Sequence, residues 1–137
     1  MEFFIFASEQ WLLITLLAAL IAVFFLTEQG KSGKSLSTSE LVRLINSDEA
    51  VVVDVRSAAE FESGHIHGAL SIPHQKLASR IAELEKYRDK TIVVVDKIGQ
   101  HSGAAGKKLS GEEFNVCRLG GGISEWQGSS LPLVKGK

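Results

Sequence analysis

A long uncharged stretch near the N-terminus limits the possible folds of this chain more than any other feature. From Trp11 to Leu26 the chain reads WLLITLLAALIAVFFL, in which Thr15 is the sole polar residue. A helix of that length rises roughly 24 Å, slightly less than the roughly 30 Å hydrocarbon core of a membrane. We therefore predict one transmembrane helix over residues 8–27, preceded by a short N-terminal tail at residues 1–7.

Two other interpretations of this stretch are open, a cleaved signal peptide and a buried core helix. Signal peptides begin with positive residues and end with small residues at the cleavage site. This stretch follows Glu2 and Glu9 and ends in FFLTEQGK, so a membrane anchor is favoured. Lys31, Lys34 and Arg43 come after the helix. Because positive residues beside a membrane segment favour the cytoplasmic side, we expect the C-terminal domain to face the cytoplasm.

A short linker, residues 28–36, is predicted between the membrane helix and the rest of the chain. Within it, Gly33-Lys34-Ser35 is similar to the end of a phosphate-binding loop. That loop requires a preceding strand and a glycine five positions before Gly33, where this chain has Glu28. Gly, Ser and Lys are typical of a flexible linker, and we expect no nucleotide to bind here.

The charge balance argues against a nucleic-acid partner. The chain has 15 Lys and Arg against 16 Asp and Glu, a net charge of −1, whereas nucleic-acid binding requires a strongly basic face. Cys117 is the single cysteine, so an internal disulfide and the cysteine spacing of a zinc site are both excluded. We expect neither a metal nor a cofactor.

Residues 37–137 form the predicted soluble domain. It opens at Ser37-Thr38-Ser39-Glu40, a capping box that predicts a helix with Leu41, Leu44 and Ile45 facing inward. Apolar runs such as AVVVDV, without alternation, are typical of parallel strands covered on both faces.

Strands and helices alternate along the rest of this domain. The predicted strands cover residues 50–55, 69–72, 92–96 and 114–119. The predicted helices cover residues 57–62, 76–87 and 102–109, with a short final helix within 120–127. This alternation predicts an α/β domain with a parallel sheet and helices on both faces.

The loop that follows the run IVVV is the candidate binding site. It leads from a strand into a helix N-terminus, so several backbone N–H groups and the positive end of the helix dipole face one small volume. Such a volume suits a thiolate, a persulfide or an oxyanion. The candidate binding residues are Asp96, Lys97, Ile98, Gly99, Gln100 and His101.

Three groups of residues, in this order, resemble the rhodanese homology domain over residues 37–133. The first comprises Asp54-Val55-Arg56, Glu60, Gly64-His65-Ile66, Gly68-Ala69 and Ile72-Pro73; the second is the loop at 96–101; the third is Gly120-Gly121-Gly122-Ile123 with Trp126. The anchor and the ending LPLVKGK are similar to a YibN-like group of membrane-anchored, single-domain bacterial members.

The resemblance implies a five-stranded α/β/α domain whose active members transfer sulfane sulfur to a thiol through a cysteine persulfide. The active loop of that family reads Cys-x-x-Gly-x-Arg. Here Gly99 matches the glycine, Asp96 replaces the cysteine and His101 replaces the arginine. A carboxylate is a poor nucleophile toward sulfane sulfur, so we assign no catalytic residue. We expect Asp96 itself to accept hydrogen bonds from the N–H groups of the loop.

Two functions follow as hypotheses. The favoured one is a catalytically silent rhodanese-like domain, anchored in the bacterial inner membrane, that binds or regulates a membrane or cytoplasmic protein. The alternative is an active sulfurtransferase that uses Cys117 or a thiol supplied by a partner. Cys117 lies in the predicted strand NVCRL, where a lone cysteine is typically a small buried apolar residue.

Structural roles are expected for the other polar and aromatic candidates. Asp54 and Arg56 are expected to stabilise the fold by capping and ion pairing. His65 is expected to form a structural hydrogen bond, and His67 to lie on the surface. Trp126 is expected in the core.

Overall fold

The computed structural model describes residues 2–31 and 33–136. Met1 of the predicted tail, Ser32 of the predicted linker and Lys137 of the predicted domain lie outside the described residues. The chain divides into two compact units, the first ending at Gly30 and the second beginning at Lys31.

The described part of the first unit is a single helix, α1 (Glu2–Lys31), whose last residue belongs to the second unit. Its segment Phe4–Thr27 is 24 residues long and apolar enough to cross a membrane. The helix includes the predicted span 8–27 and extends beyond both of its ends, so described residues of the predicted tail are helical. The Thr15 hydroxyl donates to the Trp11 carbonyl at 2.8 Å, and the Thr27 hydroxyl donates to the Phe24 carbonyl at 2.8 Å. These hydroxyls are therefore satisfied within the helix, as an apolar surrounding requires.

The second unit contains a five-stranded parallel sheet in the order β1-β5-β4-β2-β3. The strands are β1 (Lys34–Leu36), β2 (Ala50–Asp54), β3 (Leu70–Ser71), β4 (Thr91–Val95) and β5 (Val116–Leu119). The α-helices of this unit are α2 (Thr38–Asn46), α3 (Ala58–Ser63), α4 (Leu77–Arg80), α5 (Ser102–Gly111) and α6 (Gly122–Gly128). The predicted α/β fold class is confirmed.

Strands β2 and β4 bury apolar side chains on both faces of the sheet. On one face, Val53 and Val94 pack with residues of α4 and α5 such as Leu77 and Leu109. On the other face, the core combines residues of β2, β4, α2 and α6, namely Val52, Val93, Val95, Leu41, Ile123 and Trp126. Two covered faces explain why these strands carry no apolar–polar alternation in the sequence.

Strand β1 lies where the sequence analysis placed part of the linker. Lys34–Leu36 pair in parallel with Cys117–Leu119, and the Leu36 side chain is buried. Only one of its three residues is apolar, so the sequence of β1 has no hydrophobic pattern that indicates a strand. The strand forms because it pairs with β5. The predicted linker and domain boundaries stay predictions, but this part of residues 28–36 belongs to the sheet.

The predicted helix at 76–87 is mostly a 3₁₀ helix. A 3₁₀ turn covers His74–Lys76, α4 covers Leu77–Arg80, and a second 3₁₀ helix covers Ile81–Tyr87. Leu77 and Leu84 are fully buried, and Ile81 is half-buried. Ile81 and Leu84 are three residues apart, a spacing that puts two side chains on one face in either kind of helix.

A buried ion pair fixes the chain where β2 ends. The Arg56 guanidinium donates to both carboxylate oxygens of Asp54, with the closest contact at 2.6 Å, and donates to the Gly64 carbonyl at 2.7 Å. The two side chains are 8% and 1% exposed. This contact joins the end of β2 to the end of α3, in agreement with the expected structural role.

We expect Arg56→Ala to lower the free energy of unfolding by about 3–5 kcal/mol, because it leaves the Asp54 carboxylate buried without its cation. Arg56→Lys should recover part of that loss, since an ammonium cannot form the bidentate contact. Equilibrium unfolding of the full chain in detergent, followed by Trp126 fluorescence in a Trp11→Phe background, measures both.

The matched control is Arg80→Ala, which removes an arginine from the exposed pair with Glu83. A surface pair of this kind contributes about 1 kcal/mol or less. Equal losses for the Arg56 and Arg80 variants would contradict a special contribution from the buried pair.

Candidate functional site

The loop at residues 96–101 lies at the carboxyl end of β4, in the middle of the sheet. In open parallel sheets, ligands bind outside the carboxyl ends of the strands. The loop leads directly into α5, which begins at Ser102. Val55 N–H donates to the Val95 carbonyl at 2.9 Å, so the segment after β2 runs beside the start of the loop.

The Asp96 carboxylate is turned into the loop and accepts hydrogen bonds from it. Gly99 N–H donates to Oδ1 at 2.5 Å, and His101 N–H donates to Oδ2 at 2.5 Å. Ser102 N–H also donates to Oδ2, at 3.2 Å. Asp96 is 2% exposed. The carboxylate thus occupies the volume at the N-terminus of α5, as the sequence analysis expected, and its charge lies at the positive end of the helix dipole.

Two further interactions hold the loop in this shape. Gly99 has φ +99°, a backbone conformation that favours glycine, and the Ser102 hydroxyl donates to its carbonyl at 3.3 Å. The N-terminus of α6 holds the other end of the loop. Ile123 N–H donates to the Asp96 carbonyl at 2.8 Å, and Ser124 N–H donates to the Lys97 carbonyl at 3.0 Å.

Gly122 permits this close approach of α6 to the loop. Its φ is +61°, and a Cβ there would lie 2.8 Å from the Lys97 carbonyl carbon and oxygen. Within the glycine run 120–122, Gly122 is therefore required by the close packing of α6 against the loop. Glycine is required where two backbone segments meet without room for a side chain.

A cleft of about 230 Å³ opens beside the loop. Its lining comes from three segments: the turn after β2, the segment after β3, and the loop itself. The lining residues are Val55, Arg56, Ser57, Glu60, Pro73, His74, Gln75, Asp96, Lys97, Ile98, Gln100 and His101. Five of the six predicted loop residues line this cleft, and Gly99 is the one outside the lining.

The exposed side chains of the loop form one rim of the cleft. Lys97 and Gln100 are exposed, and the Ile98 side chain is 51% exposed. The His101 imidazole stacks on that of His74, with ring centroids 4.2 Å apart and planes inclined by 4°. His74 was not singled out in the sequence, because nothing local indicates that it meets residue 101.

The other histidines and the tryptophan named from the sequence lie outside the lining of the cleft. His65 is buried, its Nδ1 is 2.8 Å from the Phe61 carbonyl, and its ring stacks on Phe61. His67 is exposed. Trp126 is buried and its indole N–H donates to the Pro132 carbonyl at 3.0 Å. Within residues 2–31 and 33–136, no group of three or more His, Cys, Asp or Glu is placed to hold a metal ion.

Cys117 is half-buried in β5. It is in register with Val93 on β4, three residues before Asp96, which puts it roughly 10 Å back along the sheet from the loop. Burial raises the pKa of the Cys117 thiol above its usual range.

The comparisons with known proteins identify the domain. A profile of the rhodanese-like domain matches residues 37–129. The chain belongs to the rhodanese family. It is 38% identical to the uncharacterized protein YibN of Escherichia coli K12, over 95% of this chain and 90% of that protein. It is 34% identical to the thiosulfate sulfurtransferase GlpE of Shewanella oneidensis, over 69% of this chain and 93% of GlpE.

A solved structure confirms the fold of this rhodanese-like domain. A rhodanese-related protein from Thermoplasma volcanium superposes with a TM-score of 0.68 at 32% identity. The match covers 74% of this chain and 97% of the other.

The contribution of the Asp96 carboxylate to the free energy of unfolding can be measured by mutation. We expect Asp96→Ala to lower the free energy of unfolding by about 3 kcal/mol, because three N–H donors lose a charged acceptor. Asp96→Asn should cost about half as much, since one carbonyl oxygen remains to accept. The unfolding assay described for Arg56 applies.

Asp89→Ala is the control for this series, because Asp89 is exposed and a surface change of this kind costs about 0.5 kcal/mol or less. An Asp96→Ala variant as stable as the Asp89 variant would show that the loop keeps its shape without the carboxylate.

Proposed function

We propose that this protein is a membrane-anchored rhodanese-like domain that does not transfer sulfur from thiosulfate and acts as a binding or regulatory module. The observation that carries this proposal is that the Asp96 carboxylate accepts three backbone hydrogen bonds, two from the loop and one from the first residue of α5. By the resemblance of the loop to Cys-x-x-Gly-x-Arg, Asp96 stands at the position of the family's sulfur-carrying cysteine.

The chemistry of the loop supports a silent site. Sulfur transfer requires a thiolate to attack the sulfane sulfur and hold it as a persulfide. A carboxylate does not supply that nucleophile, and its negative charge opposes the entry of a thiosulfate anion. Its hydrogen bonds also use the N–H groups that would otherwise stabilise an anionic ligand.

His101 stands at the position of the family arginine, and this replacement also weakens anion binding. An arginine offers a permanently charged, bidentate donor. The His101 ring instead faces the ring of His74 at 4.2 Å. The cleft keeps exposed polar side chains and the apolar Ile98 at its rim, a mixture suited to contact with another protein.

Cys117 as the nucleophile is the rival explanation. Its thiol lies within the sheet, in register with Val93, and burial raises its pKa. A raised pKa lowers the thiolate fraction at neutral pH, whereas reactive cysteines are exposed and have depressed pKa values. Both observations favour a packing role for Cys117.

We further propose that α1 anchors the domain in the bacterial inner membrane with the domain on the cytoplasmic side. The length and apolar character of Phe4–Thr27 support the anchor. Lys31, Lys34 and Arg43 after the helix support this orientation. The cleft would then be accessible to a partner protein in the cytoplasm or in the same membrane. Neither nucleic acid nor nucleotide is expected as a ligand.

Transfer of sulfur from thiosulfate to cyanide by the full chain in detergent tests the proposal. We expect no turnover above background for the wild-type chain or for Cys117→Ser. In the Cys117→Ser background, Asp96→Cys with His101→Arg should gain turnover, at least roughly tenfold above the control, because these changes restore a thiolate and a cation to the loop.

The control for that experiment is Asp96→Ser with His101→Arg in the same background, which removes the carboxylate without adding sulfur. Wild-type turnover that disappears in Cys117→Ser would overturn the proposal in favour of a Cys117-dependent enzyme.

Alkylation by iodoacetamide tests the state of Cys117. At pH about 7.5 the thiol of the native chain should react at least roughly tenfold more slowly than that of a Gln127→Cys, Cys117→Ser variant, because burial limits both access and thiolate formation. The rate should rise as the pH approaches the raised pKa of Cys117. Equal rates for the two chains would argue that Cys117 is an accessible, reactive thiol.

A further inference from the structure

Two imidazole rings close one side of the cleft. His74 begins the 3₁₀ turn after β3, and its N–H donates to the Val55 carbonyl at 3.0 Å. His101 ends the loop, and its N–H donates to the Asp96 carboxylate. Both backbones are therefore fixed, while both side chains are exposed. The ring stack at 4.2 Å is a side-chain contact that joins the loop to the segment after β3.

The charge of the cleft determines how this stack responds to protonation. Among the lining residues, Arg56 and Lys97 are positive and Glu60 and Asp96 are negative, so their formal charges cancel. Lys76 adds a positive charge on the same 3₁₀ turn as His74.

The two carboxylates that line the cleft are already engaged. Asp96 is held by three N–H groups, and Glu60 accepts from the Ser57 hydroxyl at 3.1 Å. Arg56 is paired with Asp54. Asp96 is thus engaged within the loop, whereas Glu60 keeps its negative charge, because the Ser57 hydroxyl that donates to it is neutral.

A second proton weakens the contact between two stacked imidazole rings. Neutral aromatic rings attract each other in offset stacks, and a cation over an aromatic face is also attracted. Two positive charges at this ring separation repel, even in bulk water, by an amount that changes an equilibrium about fivefold. Acid supplies the second charge, because imidazole is the side chain that gains a proton in mildly acidic solution.

We propose that the His74–His101 stack is a pH-sensitive latch at the mouth of the cleft. At neutral and higher pH the rings are stacked and the loop is tied to the segment after β3. When both rings carry a proton the equilibrium shifts about fivefold toward separated rings, and the mouth widens for a partner group. The Asp96 hydrogen bonds keep the loop backbone in place, so the change is local.

This latch would regulate the cleft to which the binding role is assigned, and it rests on that proposed function only for its biological use. Sulfur-transfer activity of the wild-type chain would refute the proposed function and leave the geometry of the latch unaffected.

Nuclear Overhauser effects between the ring protons of His74 and His101, measured on the full chain in detergent micelles, test the latch. We expect strong cross-peaks at pH about 7.5 and weaker ones at pH about 5, with a loss of intensity of up to about fivefold, the factor by which the repulsion changes the stacking equilibrium. Methyl signals of Leu84 and Val94, which are buried in the core, should be the same at both pH values.

Two variants separate the latch from general effects of acid. His74→Phe keeps an aromatic ring opposite His101 and removes one proton site, so the contact between residue 74 and His101 should persist at pH about 5. His67→Phe changes an exposed histidine outside the cleft lining and should respond to pH as the wild type does.

Three results would overturn the latch. They are wild-type cross-peaks that persist at the lower pH, an equal loss of the contact in His74→Phe, and a simultaneous change of the core methyl signals in the wild type.

Discussion

The hydrogen bonds between the Asp96 carboxylate and the N–H groups of Gly99, His101 and Ser102 organise the functional end of this domain. They turn a strand-to-helix loop into a closed ring of interactions that requires no external anion. The carboxylate neutralises the N-terminus of α5 from within. The shape of the cleft and the position of the His101 ring both depend on this arrangement.

The loop is also held from behind by α6. Its first N–H groups bind the carbonyls of Asp96 and Lys97, and Gly122 lets the two backbones meet. The Asp54–Arg56 pair anchors the opposite wall by joining β2 to the end of α3. A rigid scaffold thus presents a rim of exposed side chains, a combination typical of binding loops on folded domains.

In the function that we propose, this arrangement separates the fold of a rhodanese from its chemistry. The domain has the parallel sheet of the family, which is determined by apolar burial and by backbone hydrogen bonds. Sulfur transfer depends on one thiolate, so a single residue at the head of the loop can remove the activity without removing the scaffold. Under this proposal, a cleft without its nucleophile would remain available for recognition, and side-chain contacts at its rim would determine what binds.

Local patterns in the sequence were sufficient for the long apolar helix, the buried strands β2 and β4, the loop and the hydrogen bonds of Asp96 within it. Each follows from hydrophobic runs or from hydrogen-bonding needs within a few residues. The tertiary structure decided the rest. Strand β1 exists because β5 lies beside it, the 3₁₀ form of 81–87 satisfies the same burial as an α-helix, and His74 meets His101 only when two distant segments fold together. Such contacts join residues far apart in the chain, and no short stretch of sequence records them.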